Sequence, residues 1–359
     1  MELISLPVIR CDKNPLIIPT DVKPSQRGLK VVGAFNAGVI RLKDEILMIL
    51  RVSESASTSM TNMVDIPVME EKDGHYKLTI KSIDRMTNDK YDFSDSRGIV
   101  DKLTGNTVYL TSISHLRLAR SSDGINFKVD DKPFLFPSDG TDSWGIEDPR
   151  ITKIGDKYYI NYTSVSDYGP SVSLVETSDF VSVKRLGMIF LPENKDVTIF
   201  PTKIGGKYVC FARPVPNGIG YPNMYLAKSN DLIHWGEYKY FIGVTTDGWE
   251  NGRLGGGAVP FLTDKGWIEI YHAADKSGRY CLGALLLDKD DPSHILARTS
   301  RPLLEPETDY ELNGFFGNVV FTCGAICEEG LVSIYYGAAD EMMALATISL
   351  EELLAMMAK

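Results

Sequence analysis

One pattern recurs five times in this chain: a polar turn, then a strand rich in aromatic and β-branched residues. That repeat limits the fold more than any other feature. The copies are KDEILMILR (43–51), GDKYYINYT (155–163), GGKYVCFAR (205–213), DKGWIEIYH (264–272) and EEGLVSIYYG (328–337). A short apolar strand precedes each copy: AFNAGVIRL, DPRITKI, FPTKI, GAVPFLT and NVVFTCGAI. A third strand follows, as in HLRLARSSDGINF, SVSLVETSDF and NMYLAKSNDLIHW, and most copies end in an outer segment such as DKPFLFP or SRPLLEP. Units of three or four antiparallel strands predict an all-β chain. Five of them predict a five-bladed β-propeller, because a closed ring removes most exposed sheet edges. A β-sandwich would have to divide five like units between two sheets. The whole of 1–359 is read as one propeller domain. Helical periodicity is confined to Ser349–Lys359, a short C-terminal helix with Ser349 as N-cap and acids in its first turn.

The spacing of the repeat is uneven. Asp44 and Asp156 lie 112 residues apart, whereas Asp156 and Gly206 lie 50 apart. The surplus is mostly polar and sits at about 52–114, which predicts an arm inserted in the first unit. Irregular segments of that length usually serve as lids or interaction arms.

Composition narrows the partners. The chain carries 38 Lys and Arg against 48 Asp and Glu, a net charge of −10, with no basic cluster. Nucleic acid is therefore disfavoured as a partner, while a small anion needs only a few local cations. No run approaches the roughly 20 apolar residues of a membrane span, and Met1–Arg10 has neither a basic start nor an apolar core of a secretory signal. Five scattered cysteines without a CxxC pair predict free thiols and a reducing, cytoplasmic setting. The five histidines form no HxxxH pair, so no metal site and no cofactor are expected. A homo-oligomer is left open.

In a propeller the innermost strands surround a central channel, so their polar residues converge. Those strands offer Asn36, Asp148, Lys195, Arg253 and Asn318, and the ends of the second strands offer Arg51, Arg213, His272 and Asp340. Any one alone is more often a structural ion pair. Recurrence in several units is what points to a shared site. Several cations near one axis call for an anion among them. Asp148 lies in GIEDPRI (145–151), where Pro149 is expected to hold it extended. Glu147 and Asp148 are then expected on opposite faces, with only one in the channel. A general acid there calls for a carboxyl whose pKa is raised by enclosure. The glycines of RLGGGAVP (253–260) allow close backbone approach to a ligand. Trp144, Trp235, Trp249, Trp267, Tyr221, Tyr271 and Tyr280 are candidate sugar-stacking surfaces, although blade core is the commoner role.

At this point the chain resembles glycoside hydrolase family 130, the mannoside phosphorylases and related β-mannosidases. The resemblance rests on GIEDPRITKIGDKYYINYT, KDVTIFPTKIGGKY, ARP, SNDLIHWGE, RLGGGAVPFLTDKGWIEIYH, YCLGALLLDKDDPSHIL and NVVFTCGA with IYYGAAD. AFNAGVI and LRVSE extend it to the N-terminal unit. It implies a five-bladed propeller, with Asp148 matching the general acid. Asn36, Arg51 and Asp340 match positions around the terminal sugar. Lys195, Arg213, Arg253, His272 and Tyr280 match the region that holds inorganic phosphate. Two departures stand out: Arg253 where Lys is frequent, and Ala273-Ala274-Asp275 where Gly is frequent.

Phosphate is already an anionic nucleophile, so it needs cations and no base, whereas inverting hydrolysis needs a second carboxylate to activate water. The basic character of Arg213, Arg253 and His272 therefore favours phosphorolysis of a β-mannoside to α-mannose 1-phosphate. Glu250, three residues before Arg253, is the one carboxylate that would support hydrolysis if it faced the channel. The N-terminal segments resemble the β-1,2-mannobiose branch more than the β-1,4 branch. A β-mannosidase, a β-1,4 phosphorylase and a sugar-binding propeller without catalysis stay as alternatives.

Overall fold

The structure is a computed structural model that describes residues 8–57, 62–95 and 97–357. Five antiparallel sheets of like build follow one another along the chain. The first pairs Leu29–Arg41, Ile46–Ala56, Ser112–Ser121 and Lys128–Val129 in that order. The second is Gly145–Ile154, Lys157–Ser166, Gly169–Thr177 and Lys184–Phe190. The third is Asn194–Ile199, Tyr208–Pro214, Met224–Ser229 and Trp235–Ile242. The fourth is Arg253–Gly256, Trp267–Ala274, Tyr280–Leu287 and Ile295–Arg298, with Phe261–Leu262 also on its second strand. The fifth is Val320–Glu328, Leu331–Ala338 and Met342–Ser349, completed from the other end of the chain by Ile9–Arg10.

The second strands are apolar on both faces because each sheet is covered on both sides. Ile46–Ala56 alternates toward two different cores: Leu47 and Ile49 pack with Ile146 and Ile160 of the second sheet, whereas Met48 and Leu50 pack with Tyr335 and Met343 of the fifth. Val172 and Ile199 join the second sheet to the third. Phe200 and Tyr271 join the third to the fourth, and Ile268 and Ile334 join the fourth to the fifth. The contacts thus run from each sheet to the next and from the fifth back to the first. Each fully buried Leu or Ile contributes about 1.5–3 kcal/mol.

The junction of the chain ends is held by charge as well as by pairing. Ile9 lies opposite Thr347. Arg10 Nε donates to Glu311 Oε1 at 2.9 Å, and the Glu311 side chain is fully buried. Glu311 also accepts the Tyr336 hydroxyl at 2.7 Å. It comes from a short helix, Asp309–Leu312, that the repeat did not foretell. The C-terminal helix is Leu350–Met357, and Ser349 Oγ accepts the Glu352 N–H at 3.1 Å, as expected of an N-cap. Ala358 and Lys359, also expected in that helix, lie outside the described residues. No helix among the described residues is long and apolar enough to cross a membrane.

Between the second and third strands of the first sheet the chain leaves to form two small sheets. Met63–Lys72 pairs with His75–Asp84, and Gly98–Asp101 pairs with Tyr91–Asp92 and Thr107–Leu110. Val64, Ile66, Ile83 and Ile99 give this arm a core of its own. The arm is narrower than 52–114, because Val52 to Ser55 still pair with His115 to Ser112.

Candidate active site

Three first strands carry the same irregularity. Phe35 lies opposite Arg51 and Gly38 opposite Ile49. Glu147 lies opposite Thr163 and Arg150 opposite Asn161. Lys195 lies opposite Arg213 and Thr198 opposite Phe211. Each strand therefore holds one residue more than its partner, which is a β-bulge. The residue after the first member takes a positive φ: 46° at Asn36, 49° at Asp148 and 53° at Asp196. Asn and Asp tolerate that left-handed region better than other non-glycine residues.

The bulge breaks the alternation of faces. Phe35 with Asn36, Glu147 with Asp148, and Lys195 with Asp196 all line one cavity of about 410 Å³. Two expectations fall here. Pro149 does not hold Asp148 extended, and Glu147 and Asp148 face the same cavity, because the extra residue turns the backbone by half an alternation. The nine residues that the resemblance places in the site all line it: Asp148, Lys195, Arg213, Arg253, His272, Tyr280, Asn36, Arg51 and Asp340. Asn318 is not among the lining residues; its carbonyl accepts the Tyr280 N–H at 2.9 Å. The tryptophans are not among them either. Trp267, Trp249 and Trp235 pack into cores, and the cavity aromatics besides Tyr280 are Phe35, Phe315, Phe316 and Phe321.

On one side of the cavity sits Asp148. Asp148 Oδ1 accepts Asn36 Nδ2 at 2.9 Å and Arg51 Nη1 at 3.1 Å. Arg51 Nη2 donates to Glu147 Oε1 at 2.8 Å, and Lys195 Nζ donates to Glu147 Oε2 at 3.1 Å. Burial works to raise the Asp148 carboxyl, but the charges of Arg51 and Lys195 outweigh it and hold it below the usual range. The expected raised acid is thus not found at Asp148, because two cations stand beside it. Asp340 is the raised one, pushed to about 6 by burial and by the neighbouring Asp148 and Glu147, against the pull of Arg51.

The other side was expected to hold cations lacking a counter-charge. Instead the protein supplies one. Arg213 forms an ion pair with Asp196, with Nε at 3.1 Å from Oδ2. His272 Nε2 lies 3.3 Å from the same oxygen, and Arg150 Nη2 lies 3.4 Å from Oδ1. Burial opposes the charge on Asp196, but Arg213 and His272 overcome it and hold the carboxyl well below its ordinary value. His272 is not the cation the sequence suggested. Its burial lowers the imidazole further than Asp196 raises it, so it is neutral at pH 7. Arg253 makes no ion pair among the described residues, and its guanidinium lies 5.8 Å from the Tyr280 ring centre.

The glycine run serves the protein before any ligand. A Cβ on Gly255 would stand 2.9 Å from His272 Cε1 and 3.0 Å from Arg213 Nε, so only glycine lets these side chains close in. Glu250 is absent from the cavity lining. It accepts the Tyr271 hydroxyl at 2.5 Å and Arg298 Nη2 at 2.6 Å, inside the fourth sheet.

The arm reaches the same cavity through Asp95, Arg97, Gly98, Thr107 and Leu110. Arg97 pairs with Asp95 at 3.0 Å and lies 4.5 Å from the Phe316 ring centre. Nothing in the repeat marks these residues, because the arm lies outside it. Asp196 was also missed, though Asn or Asp in second place of FNAG, EDPR and KDVT was a visible sign.

Comparison with known proteins gives the family of the chain. The model of glycoside hydrolase family 130, described as beta-1,4-mannooligosaccharide phosphorylase, matches residues 106–359. A beta-1,2-mannobiose phosphorylase of Listeria innocua is 45% identical over 349 residues, covering 97% of each chain. A 1,2-beta-oligomannan phosphorylase of a Thermoanaerobacter species is 39% identical, over 67% of this chain and 80% of that one. The solved structure of the Listeria innocua beta-1,2-mannobiose phosphorylase with beta-1,2-mannobiose superposes with a TM-score of 0.93 at 44% identity, covering 98% of this chain and 99% of that one.

Proposed function

The chain belongs to glycoside hydrolase family 130, and on that premise we propose that it performs inverting phosphorolysis of β-1,2-mannosides, such as β-1,2-mannobiose, to α-mannose 1-phosphate and a shortened acceptor. The observation that carries this is the state of the carboxylates near the basic side of the cavity. Asp196 is occupied by Arg213, Arg150 and His272, and Glu147 by Arg51 and Lys195. Glu250 points elsewhere. No carboxylate among these is free to activate water, while Arg253 has no ion-pair partner among the described residues.

In this reading Lys195, Arg213, Arg253, His272 and Tyr280 hold phosphate, and Asn36, Arg51 and Asp340 hold the terminal mannose. A phosphate oxygen attacks C1 from the α face, and the bond from C1 to the leaving oxygen breaks. Asp148 gives its proton to that oxygen. Oδ1 already accepts two hydrogen bonds, so the proton belongs on Oδ2. The charges of Arg51 and Lys195 favour the Asp148 carboxylate, and a bound phosphate adds negative charge that raises its pKa. The proton of hydrogen phosphate finally replaces the one Asp148 has given, which balances the reaction.

The five sheets are read as the blades of one five-bladed propeller domain, with the arm as an insertion in the first blade. The ring of cores supports this. The β-1,2 linkage is supported by the Listeria innocua relative, whose match spans nearly the whole chain, against the shorter stretch of the family model with a β-1,4 description. The arm residues at the cavity are suited to a wall that favours a bent disaccharide. Five free cysteines, three of them buried, fit a cytoplasmic setting. The test is synthesis: α-mannose 1-phosphate and mannose should release phosphate and give a β-1,2 disaccharide by NMR. A β-1,4 product would replace the linkage, and no product would remove the reading.

A further inference from the structure

Arg150 is buried, 1% exposed, and is not among the residues lining the cavity. Its guanidinium nevertheless touches both halves of the chemistry. Nη1 donates to the Asp148 carbonyl at 3.0 Å. Nε donates to the Gly257 carbonyl at 3.0 Å and Nη2 to the Gly256 carbonyl at 2.8 Å. Nη2 also stands 3.4 Å from Asp196 Oδ1. One side chain thus joins the second sheet, which carries Asp148, to the third, which carries Asp196, and to the glycine run of the fourth.

We propose that Arg150 is a positioning residue that sets the separation between the Asp148 carboxyl and the anion-binding pair Arg213 and His272. The proposal rests on the phosphorylase reading above. Asp148 has a left-handed backbone with φ of 49°, so fixing its carbonyl fixes the direction of its side chain. Asp196 is gripped from two sides, with Arg150 on Oδ1 and Arg213 and His272 on Oδ2. Moving Arg150 therefore moves the acid and the anion site relative to each other, although it touches no substrate.

The far anchor is rigid. Gly257 N–H donates to Glu269 Oε1 at 3.1 Å, and Glu269 is fully buried. Burial raises the Glu269 carboxyl well above its ordinary range. A Cβ on Gly256 would lie 2.9 Å from the Asp196 carbonyl, and one on Gly257 would collide with the Ile270 carbonyl, so the strand has no slack. A guanidinium fork serves four acceptors in different directions, which an ammonium on a flexible stem does not. In-line displacement punishes misplacement: an error of 1 Å costs on the order of 100-fold in rate.

The test is Arg150→Lys, assayed beside wild type with β-1,2-mannobiose and phosphate, with cooperative thermal unfolding as the check on folding. The expected result is a kcat about 10–100-fold lower and a phosphate KM raised several-fold, with the mannobiose KM within about twofold. A purely structural role would scale activity with the folded fraction and leave both KM values alone. A folded variant with wild-type kcat and phosphate KM, or with both KM values raised alike, overturns the proposal. If Arg150→Lys does not fold, Glu269→Met decides, since it loosens Gly257 without touching the cavity. It should show the same split on a smaller scale, and unchanged constants overturn the proposal. Wild type that cleaves mannobiose without phosphate would overturn the phosphorylase reading instead, and is seen in the same experiment.

Discussion

Asn36 and Asp148 meet through a 2.9 Å hydrogen bond from Nδ2 to Oδ1, although 112 positions separate them. Both are the left-handed residues of their bulges, with φ of 46° and 49°. Two sheets thus present the same backbone device to one another, and the contact between its tips orients the carboxyl proposed as the acid. Arg51 adds a second donor to the same oxygen at 3.1 Å, leaving Oδ2 for the proton.

Asp148→Asn should preserve the fold, because the amide oxygen still accepts from Asn36 and Arg51. It cannot deliver a proton as a carboxylic acid does, and general acid catalysis contributes roughly 10²–10⁴-fold. Steady-state phosphorolysis should fall by that order. Retention of more than about a tenth of the wild-type rate would remove Asp148 from the acid role.

Arg253 and Arg213 should separate binding from stability. Arg253 has no ion pair to lose among the described residues, so Arg253→Ala should raise the phosphate KM about 10–100-fold, the equivalent of a charge-assisted bond of about 1.5–3 kcal/mol. The mannoside KM and the melting temperature should hold. Arg213→Ala should also unfold more easily, because it leaves Asp196 buried with its strongest partner gone; breaking such a pair costs about 3–5 kcal/mol. Equal melting temperatures for the two variants would contradict this division.

Asp340 makes a pH-dependent contribution to stability whose sign differs from that of Asp148 and Asp196. Its carboxyl is raised from 3.8 to about 6 in the folded chain, so the folded state holds a proton that the unfolded state releases. That contribution is fully present below about 4 and is lost as pH rises through about 6. Asp340→Asn should therefore melt higher than wild type at pH 7.5, with the gain shrinking toward pH 4, while the mannoside KM rises. Thermal unfolding across that range checks it, and a difference that grows toward low pH would show the sign to be wrong.

Glu250→Gln should leave the phosphate requirement unchanged. The side chain is spent on Tyr271 and Arg298 within the fourth sheet. Some loss of stability is expected, but no change in the ratio of phosphorolysis to hydrolysis. A selective loss of hydrolytic side activity would return Glu250 to the chemistry.

The five-fold repeat was enough to foresee the sheets and the convergence of eight of the nine polar side chains it singled out, because strand alternation and burial follow directly from residue pattern; Asn318 alone stays outside the cavity lining. The bulges were less open to view. Strict alternation sends Glu147 and Asp148 to opposite faces, and only the extra residue between the pairs Glu147–Thr163 and Arg150–Asn161 brings them together. Asp196 was hidden by its neighbour: Lys195 looked like the useful member of the pair, yet Asp196 holds Arg213 and His272 in place. Arg97 was out of reach, since an arm outside the repeat gives no equivalent position to compare. Charge states were also beyond the sequence, because the Asp148 shift depends on Arg51 and Lys195 arriving from two other sheets.

The most direct measurement is ³¹P and ¹H NMR of β-1,2-mannobiose with the purified chain, with and without inorganic phosphate. With phosphate, α-mannose 1-phosphate and mannose should appear in equal amounts as phosphate is consumed. Without it, the disaccharide should persist. Release of two mannoses at the same rate in phosphate-free buffer would contradict the account.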